Sequence, residues 1–163
     1  MKIILFIVII ASCGYVGIAT SKQYTQKKLL YSDLIKVCSR FSVSVRYTKP
    51  IITDIIQGLI GSCSEPMKET FENFTICLRF PEMPAPKHYC ALVSLSEEER
   101  KEIDDFLCGL GKSDTSGQTE HIALYAERFD MRYKEALQIC KNKGTMCSKL
   151  GILAGIMLCI VLM

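Results

Sequence analysis

Residues 114–140 read DTSGQTEHIALYAERFDMRYKEALQIC. Ile122, Ala126, Phe129, Tyr133, Ala136 and Cys140 recur there at intervals of 4, 3, 4, 3 and 4. Such spacing lays one apolar seam along a helix, with a coiled-coil-like period. Asp114 or Thr115 stands where a helix cap belongs, with Gln118 at the position that reaches back to the cap amide. No proline follows Pro86. The spacing therefore predicts a long last helix from about Thr115, bent at Gly144 and continuous into the apolar end of the chain.

Upstream, Ser96-Glu97-Glu98-Glu99 has the form of a capping box, and Ile103, Phe106, Leu107 and Leu110 form the apolar face behind it. Gly109 and Gly111 predict the end of that helix. Leu30, Leu34, Val37 and Phe41 predict a helix over 22–46. Pro50 opens an element over 51–60 with a wide isoleucine stripe, ended by Gly61. Met67, Phe71, Phe74 and Leu78 predict a further helix, with Ser64 as its cap and Pro66 in its first turn. Pro81, Pro84 and Pro86 mark an extended connector. The short apolar run His88–Leu95 reads as a turn of helix. Residues 22–148 are thus expected to form an all-α bundle of five or six helices.

The two ends differ from this middle. No charge occurs from Ile3 to Ser21, and none from Leu150 to Met163. The first run is long enough, at ~1.5 Å per residue, to span most of a ~30 Å hydrocarbon core. Residues 1–21 are therefore expected to be an N-terminal membrane anchor, and 149–163 a short C-terminal one. Two rival readings of the first run are a cleaved signal, with Lys2 before it and Ala19-Thr20-Ser21 near the cut, and a lipoprotein signal acylated at Cys13. The apolar run continues past Cys13, which favours the uncleaved anchor.

The chain has 163 residues, 49% of them hydrophobic, mean hydropathy +0.22 and nine cysteines. That composition excludes a disordered tail and a disulfide-dense mini-protein. The net charge of +3 is too small to suggest a nucleic-acid partner. It conceals a strong asymmetry. Residues 21–50 carry seven basic side chains against Asp33 alone, a net of +6, and 134–149 carry a net of +3. Residues 51–133 hold 15 acidic and 8 basic side chains, a net of −7. Basic flanks favour the cytosolic side of a membrane, which puts the middle of the chain in the cytosol and both ends outside. Unpaired cysteines suit that reducing compartment.

Chemistry-bearing patterns are sparse. No two cysteines have C-x-x-C spacing, no phosphate loop occurs, and His88 and His121 read as partly exposed helix residues without a partner. No catalytic residue, metal site or cofactor is indicated. A membrane-tethered thiol sensor stays open as an alternative. The acidic cluster Glu97, Glu98, Glu99, Glu102, Asp104, Asp105 suits either a solvated helix face or a docking surface for a basic partner. Gly151 and Gly155, one turn apart, would allow close packing of another membrane helix.

The last third of the chain resembles the family of stage III sporulation protein AB, small membrane proteins of endospore-forming bacteria. The likeness rests on Leu110-Gly111-Lys112-Ser113-Asp114, Gln118, Ile122 and Lys149-Leu150-Gly151-Ile152-Leu153-Ala154-Gly155. These follow the family patterns L-G-x-x-D-x-x-x-Q and S-L-G-x-L-x-G. Tyr47 and Pro50 carry a weaker likeness near the start. Ser44-Val45 replaces the family's Glu-Ile pair, and Leu107 stands where the family has a glycine.

The resemblance implies a non-enzymatic subunit in the mother-cell membrane around the forespore, similar to the platform (F-type) proteins of type II secretion and type IV pilus machines. It implies coupling between a cytosolic secretion-type ATPase and a channel complex of other stage III sporulation membrane subunits, and it admits a homo-oligomer. On that reading Glu97, Glu98, Glu102, Asp105, Leu110, Gly111, Asp114 and Gln118 would face the ATPase. Gly151 and Gly155 would pack in the membrane.

Overall fold

The computed structural model of the chain describes residues 2–47, 52–82, 84, 86–144, 146, 153 and 157, with the side chains of residues 2–11, 13, 16, 46 and 47 outside the description. The described residues form five α-helices and no strand: α1 (Lys2–Tyr47), α2 (Ile52–Ile60), α3 (Glu65–Arg79), α4 (Glu97–Gly109) and α5 (Thr115–Ile139), followed by a π-helical turn at Cys140–Gly144. The expected all-helical fold is met. Two units emerge, residues 29–133 and residues 1–28 with 134–163.

The core of the first unit follows the apolar spacings. Leu30, Leu34, Val37 and Phe41 of α1 are buried, as are Ile56 and Leu59 of α2 and Met67, Phe71 and Phe74 of α3. Ile103, Phe106 and Leu107 of α4 meet Ile122, Tyr125 and Phe129 of α5 in the same interior. The Phe106 ring is the hub: Phe129 meets it edge-on at 5.3 Å, Tyr125 lies 5.4 Å away, and His121 stacks on it at 5.9 Å. Edge-on and offset ring pairs add to plain area burial. Leu78, at the far end of the α3 stripe, faces outward.

Three local expectations are corrected. His88–Leu95 is not helical. Side chains satisfy its backbone instead: Tyr89 N–H donates to Asp104 Oδ1 at 3.0 Å, Asn73 Nδ2 donates to the Tyr89 carbonyl, and Arg100 donates to the Leu92 carbonyl. Ser64 occupies the cap position of α3, but its hydroxyl makes no capping bond. Asp33, reaching from α1, accepts from Ser64 N–H at 2.7 Å. The last helix leaves α geometry at Cys140, before the glycine expected to bend it.

The Ser96–Glu99 box is complete. Glu99 N–H donates to Ser96 Oγ at 3.3 Å, and Ser96 N–H donates to Glu99 Oε2 at 2.8 Å. Its other oxygen, Oε1, accepts from buried Tyr31 Oη at 3.1 Å. One carboxylate therefore caps α4 and also ties it to α1.

In the second unit Thr25 Oγ1 donates to the Ser21 carbonyl and lies 3.7 Å from Cys140 Sγ. Ala136, a member of the predicted seam, is buried there. Among the described residues no helix is long and apolar enough to cross a membrane. Both expected anchors fall chiefly outside the description: the side chains of residues 2–11, and residues 149–163 apart from Leu153 and Met157, which are helical.

Candidate functional site

The L-G-x-x-D-x-x-x-Q residues fold into one knot between α4 and α5. Leu110 is buried and ends α4 in extended geometry. Gly111 then turns the chain at φ +78°, a left-handed conformation that favours glycine. A Cβ on Gly111 would also meet Ile52 Cδ1 at 2.6 Å, so α2 closes on the turn only over glycine. Asp114 caps α5: its Oδ1 accepts from Gly117 N–H at 3.0 Å, and its carbonyl accepts from Gln118 N–H at 2.8 Å.

Gln118 does not return to the cap as expected. It is 5% exposed, and its Oε1 accepts from Gly111 N–H at 2.8 Å. The glutamine thus fastens the turn from one helical turn inside α5. Gly109 serves a neighbouring contact, because a side chain there would run into the His121 ring.

This knot forms one wall of an open groove of about 380 Å3. Among the described residues, Phe41, Val45, Ile52 and Ile55 supply apolar walls, and Leu110, Gly111, Ser113, Asp114, Thr115 and Gln118 line the other side. Ser113, Asp114 and Thr115 are exposed at its edge. The walls from α1 and α2 were not among the residues singled out by the sequence. For Phe41, Ile52 and Ile55 the signal is the apolar stripe, which by itself reads as core.

The acidic candidates separate into two kinds. Glu102 pairs with Arg132 at 3.3 Å and Arg128 at 3.9 Å. Glu97 pairs with Lys87 at 2.6 Å and His88 at 3.1 Å, and these partners hold its carboxyl down, at about 2. Glu98 and Asp105 are exposed. Seven residues apart, they share a helix face with Glu102. The cluster is therefore partly neutralised.

His88 departs most from expectation. Its Nδ1 lies 2.7 Å from Asp104 Oδ2 and its Nε2 3.1 Å from Glu97 Oε1. The two carboxylates, Asp104 foremost, raise its pKa. Each ring nitrogen is engaged, and the group ties the connector to α4. His121 bonds the Phe106 carbonyl through Nε2 at 3.2 Å.

Six cysteines are described, all free thiols. Burial pushes Cys38 up to about 12 and also raises Cys63 and Cys90, which keeps these sulfurs protonated and poorly reactive. Among the described residues no cluster of His, Cys, Asp and Glu could hold a metal ion. Gly151 and Gly155, and the Cys13 side chain, lie outside the description.

The knot draws into one place the residues Leu110, Gly111, Asp114 and Gln118, which carry the resemblance. The family model described as stage III sporulation protein AB matches residues 2–163. The chain belongs to this family. No curated protein and no solved structure matches it. Within a stage III sporulation protein AB chain, the motif thus has a physical meaning: leucine anchors, glycine turns, aspartate caps and glutamine fastens.

Proposed function

We propose that this chain is a non-enzymatic membrane subunit of a sporulation channel or secretion-like complex. It couples a cytosolic secretion-type ATPase to the membranes between mother cell and forespore, alongside other stage III sporulation membrane subunits. The family membership supports the sporulation role. The uncharged runs Ile3–Ser21 and Leu150–Met163, flanked by basic segments, support anchorage in membrane lipid with residues 22–148 cytosolic.

One observation carries the coupling reading. The motif residues are spent on a fastened turn beside an open groove, and the helix that leads into it carries the exposed pair Glu98 and Asp105. A capped and fastened turn presents a fixed shape to a partner. The long α5 would carry displacement toward the C-terminal anchor, where Gly151 and Gly155 would pack against other subunits. The test is capture of the purified ATPase by the detergent-solubilised full chain. Glu98→Lys with Asp105→Lys is expected to lower capture at low salt. Unchanged capture would remove the acidic face from the interface.

A further inference from the structure

The second unit is strongly basic. Residues 1–28 and 134–163 hold eight lysines, no arginine and a single carboxylate, that of Glu135. The two segments meet where Thr25 Oγ1 lies 3.7 Å from Cys140 Sγ. Lys22 and Lys28 stand about one helical turn either side of Thr25, and Lys141 and Lys143 follow Cys140 in the π-helical turn. Four lysines from distant parts of the sequence are thus drawn to one contact. Among the described residues no carboxylate pairs with Lys22, Lys28 or Lys143. In the first unit Lys36, Lys68 and Lys87 each hold one. Like charges gathered in this way repel, and an anionic partner relieves the repulsion.

The neighbouring surface says what kind of anion. Tyr15 and Ile18 stand seven and four residues before Lys22, on the same helix face, and are 75% and 60% exposed. Met146, three residues after Lys143, is exposed too, as are Leu153 and Met157. A nucleic acid or an acidic protein would meet the lysines and leave these apolar groups in water. A bilayer boundary takes both, the apolar side chains below and the ammonium groups at the level of the phosphates. The use of lysine alone agrees with this. Lysine is a point charge on a flexible stem, suited to a fluid array of headgroups, whereas arginine's fork suits one fixed phosphate.

We infer that the lysines around the Thr25–Cys140 contact bind the phosphate headgroups of anionic glycerophospholipids, with Tyr15 and Ile18 turned toward the acyl chains. Both segments contribute, so the lipid surface also favours their staying together. The inference rests on the reading of the chain as a membrane subunit, and it names the class of lipid.

The test uses the full chain in mixed bilayers of phosphatidylcholine and phosphatidylglycerol. Electron spin resonance reads the association of spin-labelled phosphatidylglycerol relative to spin-labelled phosphatidylcholine. The expected preference is about fivefold for the anionic lipid, and it shrinks as salt is added. The triple variant Lys22→Gln, Lys28→Gln, Lys143→Gln is expected to lose most of it. Lys68→Gln, Lys87→Gln, Lys101→Gln removes the same charge from the first unit and is expected to keep it. Circular dichroism checks that the helices of both variants persist.

A wild-type preference below about twofold would overturn the inference. So would equal losses in the two folded triple variants, or no loss in either, or duplex DNA at equal phosphate concentration that abolishes the preference. Flotation with neutral vesicles tests the anchorage separately. A chain that floats with phosphatidylcholine vesicles but prefers neither lipid refutes the headgroup site and leaves the membrane-subunit reading standing. A chain that floats only when phosphatidylglycerol is present keeps the headgroup site and removes the spanning anchors.

Discussion

The backbone N–H of Gly111 donates to the side-chain oxygen of Gln118, seven residues ahead, at 2.8 Å. This bond closes the turn between α4 and α5, and the groove's shape depends on it. Gly111→Ala places a side chain at φ +78° and against Ile52. The left-handed backbone alone costs about 1–2 kcal/mol. Gln118→Ala is expected to cost about 1 kcal/mol through the lost hydrogen bond. Because both act on one turn, the double variant should lose less than the sum of the two, measured by denaturant unfolding of the full chain in detergent.

The His88 clamp predicts a pH-dependent connector. Asp104 and Glu97 raise the histidine's pKa above its ordinary 6.5. A raised folded-state value means the clamp's contribution is fully present below pH 6.5 and is lost as pH rises through the folded-state value. Hydrogen exchange at the Tyr89 amide, which bonds Asp104, should therefore speed up across that window beyond the intrinsic rate. His88→Ala should abolish the extra dependence. If the wild type shows none, the ring does not hold the connector.

Tyr31 and Glu99 join α1 to α4 in the interior. Burial, and then the neighbouring Glu99 carboxylate, raise the Tyr31 pKa, so the phenol stays a donor. Tyr31→Phe keeps the ring and removes the donor. A loss of about 1–3 kcal/mol in unfolding free energy is expected, the range for a hydrogen bond to a charged acceptor. A loss below about 0.3 kcal/mol would place the bond among incidental contacts.

Thiol labelling separates packing cysteines from reactive ones. Cys38 and Cys90 are each 1% exposed, and burial raises both pKa values. In the native chain at pH 8 both should resist maleimide until denaturant is added, as read by mass spectrometry of digests. Native labelling of Cys38 on the timescale of an exposed thiol would revive a thiol-sensing role.

The helices were legible because their information is local. Ser96 and Glu99 stand three residues apart, and both halves of their box form. Phe71 and Phe74, or Ile122 and Phe129, point inward because their spacing fits one helix face. What escaped the sequence lies across the fold. Asp33 holds the amide of Ser64, the residue before α3 and 31 residues on, and His88 finds Asp104 sixteen residues on. Pairings of that separation leave no periodic trace.

The candidate site was legible as residues and not as bonds. Gln118 was singled out, yet its short sequence distance from Asp114 pointed to the cap amide. The glycine turn then brought a different N–H within reach. Phe41, Ile52 and Ile55 read as core stripe, and only the folded chain leaves their edge open beside Gly111. The acidic run read as one surface until Arg128, Arg132, Lys87 and His88 claimed part of it.

The proposed function brings an ATPase to a membrane through this chain. Vesicle flotation tests it most directly: the full chain is reconstituted into phosphatidylglycerol–phosphatidylethanolamine vesicles and mixed with the secretion-type ATPase. On the coupling reading the ATPase floats with these vesicles, and the Glu98→Lys, Asp105→Lys pair returns it to the soluble fraction. ATPase that floats no better with the chain present than with empty vesicles would contradict it.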